Sequence, residues 1–173
     1  SQAGKLLKTY KITLGAGVRR DFSGHQFGQS VIGLVRWKPE LSDVPVLMRN
    51  VRYVYDNPYG LPSYTGAAQF EGGVGTGQLI STPLDTRNGS SILEIANTKS
   101  KIVRTTVIVY SPTGKTLRKF YVYLAPYASK HVIVDSILGN EQIGLATIKS
   151  NVLNSVMVTQ MHYSRDIDGS LAF

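Results

Sequence analysis

Asp166 and Asp168 alternate just before Gly169-Ser170, the spacing with which a calcium-binding loop opens. A full loop needs more oxygen ligands and a later bidentate glutamate, and the sequence ends at Phe173. Turn chemistry is the plainer reading, so this pair stands only as a weak metal alternative. The three histidines, His25, His131 and His162, have no short-range metal spacing, and no Gly-x-Ser-x-Gly elbow presents a serine nucleophile. With no cysteine there is neither a thiolate site nor a disulfide framework. The run Glu71-Gly72-Gly73-Val74-Gly75-Thr76-Gly77-Gln78 lacks the Lys-Ser/Thr pair and the strand-to-helix context of a phosphate loop, and reads as a flexible crossing. No catalytic residue, no cofactor and no metal is expected, and the chain reads as non-enzymatic.

Recognition chemistry is better represented. Tyr121 and Tyr123 fall on one face of an alternating segment with Tyr127 close by, and flat amphipathic rings of this kind form contact platforms. These three tyrosines are the candidate ligand-binding residues. The formal charge of +8 predicts attraction to polyanions such as an anionic glycan or a cell surface. Nucleic acid is disfavoured, because the aromatic-and-basic signature of a recognised nucleic-acid module is missing. Asn88-Gly89-Ser90 matches a glycosylation acceptor, relevant only in a glycosylating secretory pathway.

The elements that must position these residues read as strands. At 173 residues, 42% hydrophobic and 17% charged, the chain can bury a core. Phe120, Val122 and Leu124 alternate with Lys119, Tyr121 and Tyr123, a period of two with one face inward. Ser111-Pro112-Thr113-Gly114 turns the β-branched run Ile102 to Tyr110 back into that segment, which makes a hairpin. Ser91 to Ala96, His131 to Val134, Gln142 to Ile148 and Ser155 to Tyr163 read as further strands, and no segment carries a sustained helical period.

The sequence also repeats itself. Gly4 to Leu14 aligns with Gly114 to Leu124, Gly33 to Lys38 with Gly144 to Lys149, and Val46 to Tyr53 with Val156 to Tyr163, at a spacing of 110 or 111 residues. Tyr10, Ile12 and Leu14 are then expected on a core face, as in the second copy. The histidines do not recur, since Asp21 lies against His131 and Arg52 against His162.

A Val-rich strand, a Ser-Pro-Thr-Gly-Lys turn, a strand ending Leu-Ala-Pro and a terminal strand ending in Tyr together resemble the immunoglobulin-like or fibronectin-like repeats of secreted bacterial proteins. The expected fold is all-β: antiparallel Greek-key sandwiches, immunoglobulin-like, with an internal duplication. Residues 1–60 form an incomplete first repeat, 61–85 a Gly-rich connecting segment with short strands, and 86–173 a nearly complete second repeat. Leu61 to Asp85 is one candidate to fill the gap in the first repeat, a strand from another chain is a second, and a longer repeat array of which this sequence is a part is a third. The expected role is a non-catalytic extracellular structural or assembly module associating through exposed strand edges, by self-association or with neighbouring repeats; the alternative is a carbohydrate or cell-surface binding module. An extracellular or cell-surface location, with a signal peptide removed and no membrane span, completes the expectation.

Overall fold

A computed structural model of the chain describes residues 1–22, 33–38, 40, 49–55, 64–71, 79–165 and 171–172. Its strands are β1 (Arg49–Tyr55), β2 (Tyr64–Glu71), β3 (Leu79–Asp85), β4 (Gly89–Asn97), β5 (Val103–Tyr110), β6 (Thr116–Leu124), β7 (Ser129–Ile133), β8 (Ile143–Ser150), β9 (Val156–Arg165) and β10 (Leu171–Ala172). The four-residue helix α1 (Asp135–Leu138) lies between β7 and β8. The described residues are therefore all-β. None of their helices is long and apolar enough to cross a membrane.

Two antiparallel four-stranded sheets, in the orders β10-β9-β4-β7 and β3-β8-β5-β6, make a sandwich, and β1 pairs separately with β2. The alternation that marks a half-buried strand is clearest in β5. Val103, Thr105, Val107 and Val109 are buried, while Arg104 is exposed between them. Val107 and Ile148 from one sheet, and Leu93 and Ile95 from the other, have no solvent exposure and share one core. Each such side chain contributes about 1.5–3 kcal/mol through burial, so these paired faces dominate the stability of the sandwich.

The hairpin expected around Gly114 is present, with β5 paired to β6 and a register shift at Val109/Tyr110 next to the turn. The strand that begins at Leu79 stands elsewhere than in the first repeat. It pairs with β8 over its whole length, Ile80 opposite Ile148 and Leu84 opposite Gly144, and so forms the edge of the β3-β8-β5-β6 sheet.

Residues 1–18 bear on the expected first repeat in two ways. The turn Ser1–Lys5 has the geometry of the hairpin turn Ser111–Lys115. Gly4 N donates to Ser1 O at 2.9 Å and Gly114 N to Ser111 O at 3.0 Å. Lys5 N donates to Ser1 Oγ at 3.1 Å and Lys115 N to Ser111 Oγ at 3.2 Å. The Ser1 ammonium donates to Lys5 O just as Ser111 N donates to Lys115 O. Gly4 and Gly114 share positive φ, at 85° and 81°, and so do Gly17 and Tyr127 farther on, at 69° and 56°. Between these turns, however, residues 5–15 form no strand, and Tyr10, Ile12 and Leu14 are about two-fifths exposed. The expected core face of the first copy is thus uncovered. An extended segment buries a face only where neighbouring strands supply the opposite surface, and the described residues provide none here.

The turn at Ser1–Lys5 rests on the β6–β7 corner. Ser129 N donates to Gln2 O at 2.9 Å, and a Cβ on Gly4 would stand 2.0 Å from the Pro126 carbonyl oxygen, so only glycine fits that approach.

Candidate functional site

The site follows from the register of β5, β6 and β8. Residues opposed across an antiparallel ladder project from the same face. Thr106 is opposed by Tyr121 on one side and Lys149 on the other, and Arg104 is opposed by Tyr123. Asn151 completes the second row, because its N–H donates to Arg104 O at 3.0 Å while Arg104 N donates to Asn151 Oδ1 at 2.9 Å. Two parallel rows result, Lys149-Thr106-Tyr121 and Asn151-Arg104-Tyr123, on the outer face of the sheet. Their inward neighbours Val107, Val122 and Ile148 are core, which fixes the direction of the face.

Tyr121 and Tyr123 are 52% and 64% exposed. The Arg104 guanidinium lies 5.1 Å from the centre of the Tyr121 ring, a cation–π contact that orders the arginine without using its N–H groups. A shallow hollow of about 230 Å³ is lined by Arg104, Thr106, Lys149, Ser150 and Asn151. Neither row contains a carboxylate. One row farther along, Lys119 opposes Ile108 and adds another cation. Toward the hairpin turn the face becomes apolar, with a hollow of about 520 Å³ lined by residues that include Tyr110, Pro112, Ile143 and Leu145. The arrangement offers flat rings, N–H donors and positive charge on a rigid, open surface.

Tyr127 stands apart from the other two candidate tyrosines. It occupies the β6–β7 corner with φ at 56°, and the Arg36 guanidinium lies 3.9 Å from its ring centre. Its ring is thus engaged with the N-terminal part of the chain. Sequence reasoning missed Arg104, Lys149 and Asn151. Alternation within Val103–Tyr110 already puts Arg104 and Thr106 opposite the valines, but pairing register alone brings Lys149 and Asn151 beside them.

The remaining candidates belong to the other sheet or lie outside the described residues. His162 Nδ1 is 2.9 Å from Asp85 O, and His131 Nε2 is 3.7 Å from Glu94 Oε1. His25, Asp166, Asp168 and residues 72–78 lie outside the described residues. Among the described residues no group of three or more His, Asp or Glu side chains is placed to hold a metal ion. Asp85 is held down to about 2, first by the hydrogen bond from the Arg87 guanidinium and then by that from Arg87 N–H. Ser90, the serine of the glycosylation-type motif, is buried and donates its hydroxyl to Asp135, which also accepts from Ser91 N–H. That carboxylate ties the start of β4 to α1.

No protein-family model matches the chain, and no curated protein matches its sequence. Solved structures that resemble it remotely include two of low identity. The Thermotoga maritima 1070 crystal structure is 14% identical with a TM-score of 0.47, over 57% of this chain and 94% of that one. The Anabaena sensory rhodopsin transducer is 13% identical with a TM-score of 0.41, over 50% of this chain and 96% of that one.

Proposed function

We propose that this chain is a non-catalytic extracellular assembly module, built from two copies of an immunoglobulin-like Greek-key repeat, that associates through a strand edge. The observation that carries the reading is the segment Lys5–Leu14. It leaves a turn with the geometry of the β5–β6 turn and enters one with the geometry of the β6–β7 corner, yet no strand pairs with it among the described residues. The duplication is further supported by the two hairpins, since β1 pairs antiparallel with β2 as β9 does with β10, and β1 and β9 fall in matched blocks. The Greek-key reading is supported by the path of the chain, which changes sheet at each step from β3 to β9 except within the β5–β6 hairpin.

An extended segment with an apolar row is a template for another strand. The occupant is the same segment of a second copy, paired antiparallel about a two-fold axis. With Ile12 opposite Ile12, Tyr10 meets Leu14 and Lys11 meets Thr13, so apolar positions coincide and lysines are not directly opposed. Light scattering during size-exclusion chromatography tests this. The chain is expected to show a dimer that dissociates on dilution, and Ile12→Pro to be monomeric with unchanged circular dichroism of the sandwich. A strictly monomeric wild-type chain at high concentration overturns the reading.

A further inference from the structure

We propose that the outer face of the β3-β8-β5-β6 sheet is a binding site for an acidic polysaccharide of the uronic-acid type, held by Arg104, Lys149, Tyr121 and Tyr123. The proposal does not depend on strand pairing by the N-terminal segment, which lies outside this face.

The chemistry of the two rows selects the ligand. Arginine presents a planar fork that matches a carboxylate bidentately, and Arg104 is held beside the Tyr121 ring with that fork free to act. Tyr121 and Tyr123, both more than half exposed, supply flat apolar surface for the carbon faces of sugar rings, while Thr106 and Asn151 supply groups for hydroxyls. The face is shallow and open, which suits a linear polymer better than a small molecule requiring enclosure. From Arg104 to Tyr110 the strand extends about 20 Å at roughly 3.4 Å per residue, enough for several consecutive sugar units.

Charge density separates this ligand from nucleic acid. Arg104 and Lys149 are diagonal neighbours on paired strands, a separation of about 7–8 Å between such positions. Along the axis of a DNA duplex each strand carries a phosphate about every 3.4 Å, and the two strands together one charge about every 1.7 Å. Sparse cations between rings match a polymer with about one carboxylate per sugar, whereas a phosphate track calls for a denser row of cations.

Isothermal titration with polygalacturonate, with neutral dextran and a DNA duplex as comparators, tests the proposal. Saturable binding to polygalacturonate alone is expected. Tyr121→Ala/Tyr123→Ala should weaken it tenfold or more with the salt dependence kept, and Lys149→Ala should reduce the salt dependence while Lys130→Ala on β7 does not. Arg104→Lys, which keeps the charge and loses the fork, should cost several-fold. All these positions are solvent-exposed, and matching thermal transitions confirm that each variant is folded. No saturable binding, equal losses from Lys149→Ala and Lys130→Ala, or duplex DNA binding as tight as polygalacturonate each overturns it.

Discussion

Asn97 is fully buried, and it shows how one amide side chain can fix a connection. Its Nδ2 donates to Lys101 O and Ala125 O at 2.8 Å, with Leu124 O at 3.3 Å, and its Oδ1 accepts from Lys99 N at 2.9 Å. One side chain therefore joins the end of β4, the loop to β5 and the end of β6. Asn97→Ala leaves several of these backbone groups without a partner away from water, a loss of about 2–4 kcal/mol. Asn97→Asp should be worse although it is closer in shape, because it turns a buried anionic oxygen toward three carbonyls. Urea denaturation of both variants checks the order; an aspartate variant as stable as wild type would mean that the amide does not face those carbonyls. In the sequence Asn97-Thr98-Lys99-Ser100 reads only as turn chemistry, since the acceptors come from residues 101, 124 and 125. The same distance in sequence hid Lys149 and Asn151 from the candidate site, although Tyr121 and Tyr123 were legible from alternation alone.

At the scale of the element, period two in the sequence was a sufficient guide wherever a partner strand exists. The inward set Val103, Val107 and Val109, the Gly114 turn and the inward pair Val122 and Leu124 all follow from local pattern. Lys5–Leu14 has a similar pattern and the same flanking turns, yet it forms no strand, because pattern describes one face of a ladder and not whether the second strand is there. Two glycines separate backbone conformation from packing in the same way. Gly114 has φ at 81° with open space where a Cβ would stand, so Gly114→Ala meets only the left-handed backbone penalty, about 1 kcal/mol. At Gly89 an added Cβ would lie 2.1 Å from Tyr163 O and 2.9 Å from the His162 ring. Gly89→Ala must push β9 away from β4, and the expected loss is about 3 kcal/mol or more. Denaturant midpoints of the two variants check the contrast, and equal losses would remove the close approach of β4 and β9 as its cause.

Across the whole molecule, the pairing of β3 with β8 determines where the sandwich begins. Sequence composition made residues 61–85 a connector, because the Gly-rich run lies within them and nothing local links Leu79–Asp85 to β8. The ladder makes that link, and the shared core then runs from Ile80 to Val158, with no member among residues 1–22, 33–38 and 40, the residues before β3 whose side chains are described. Among the described residues, the N-terminal part touches the sandwich at its periphery, through the Ser129 N–H to Gln2 O hydrogen bond, the close approach of Gly4 to Pro126 and the Arg36–Tyr127 stack. Together they are worth about 1–2 kcal/mol. A fragment starting at Leu79 should therefore fold by itself, with the cooperative transition of the sandwich preserved and a Tm lower by roughly 5–15 °C. One starting at Gly89 lacks β3, exposes Ile148 and Ala146 along the open side of β8, and should lose the transition altogether. Circular dichroism melts of the two fragments beside the full chain test the boundary. A Leu79 fragment that melts without cooperativity would place part of the core in the first 78 residues, and a stable Gly89 fragment would make β3 an accessory to the sheet.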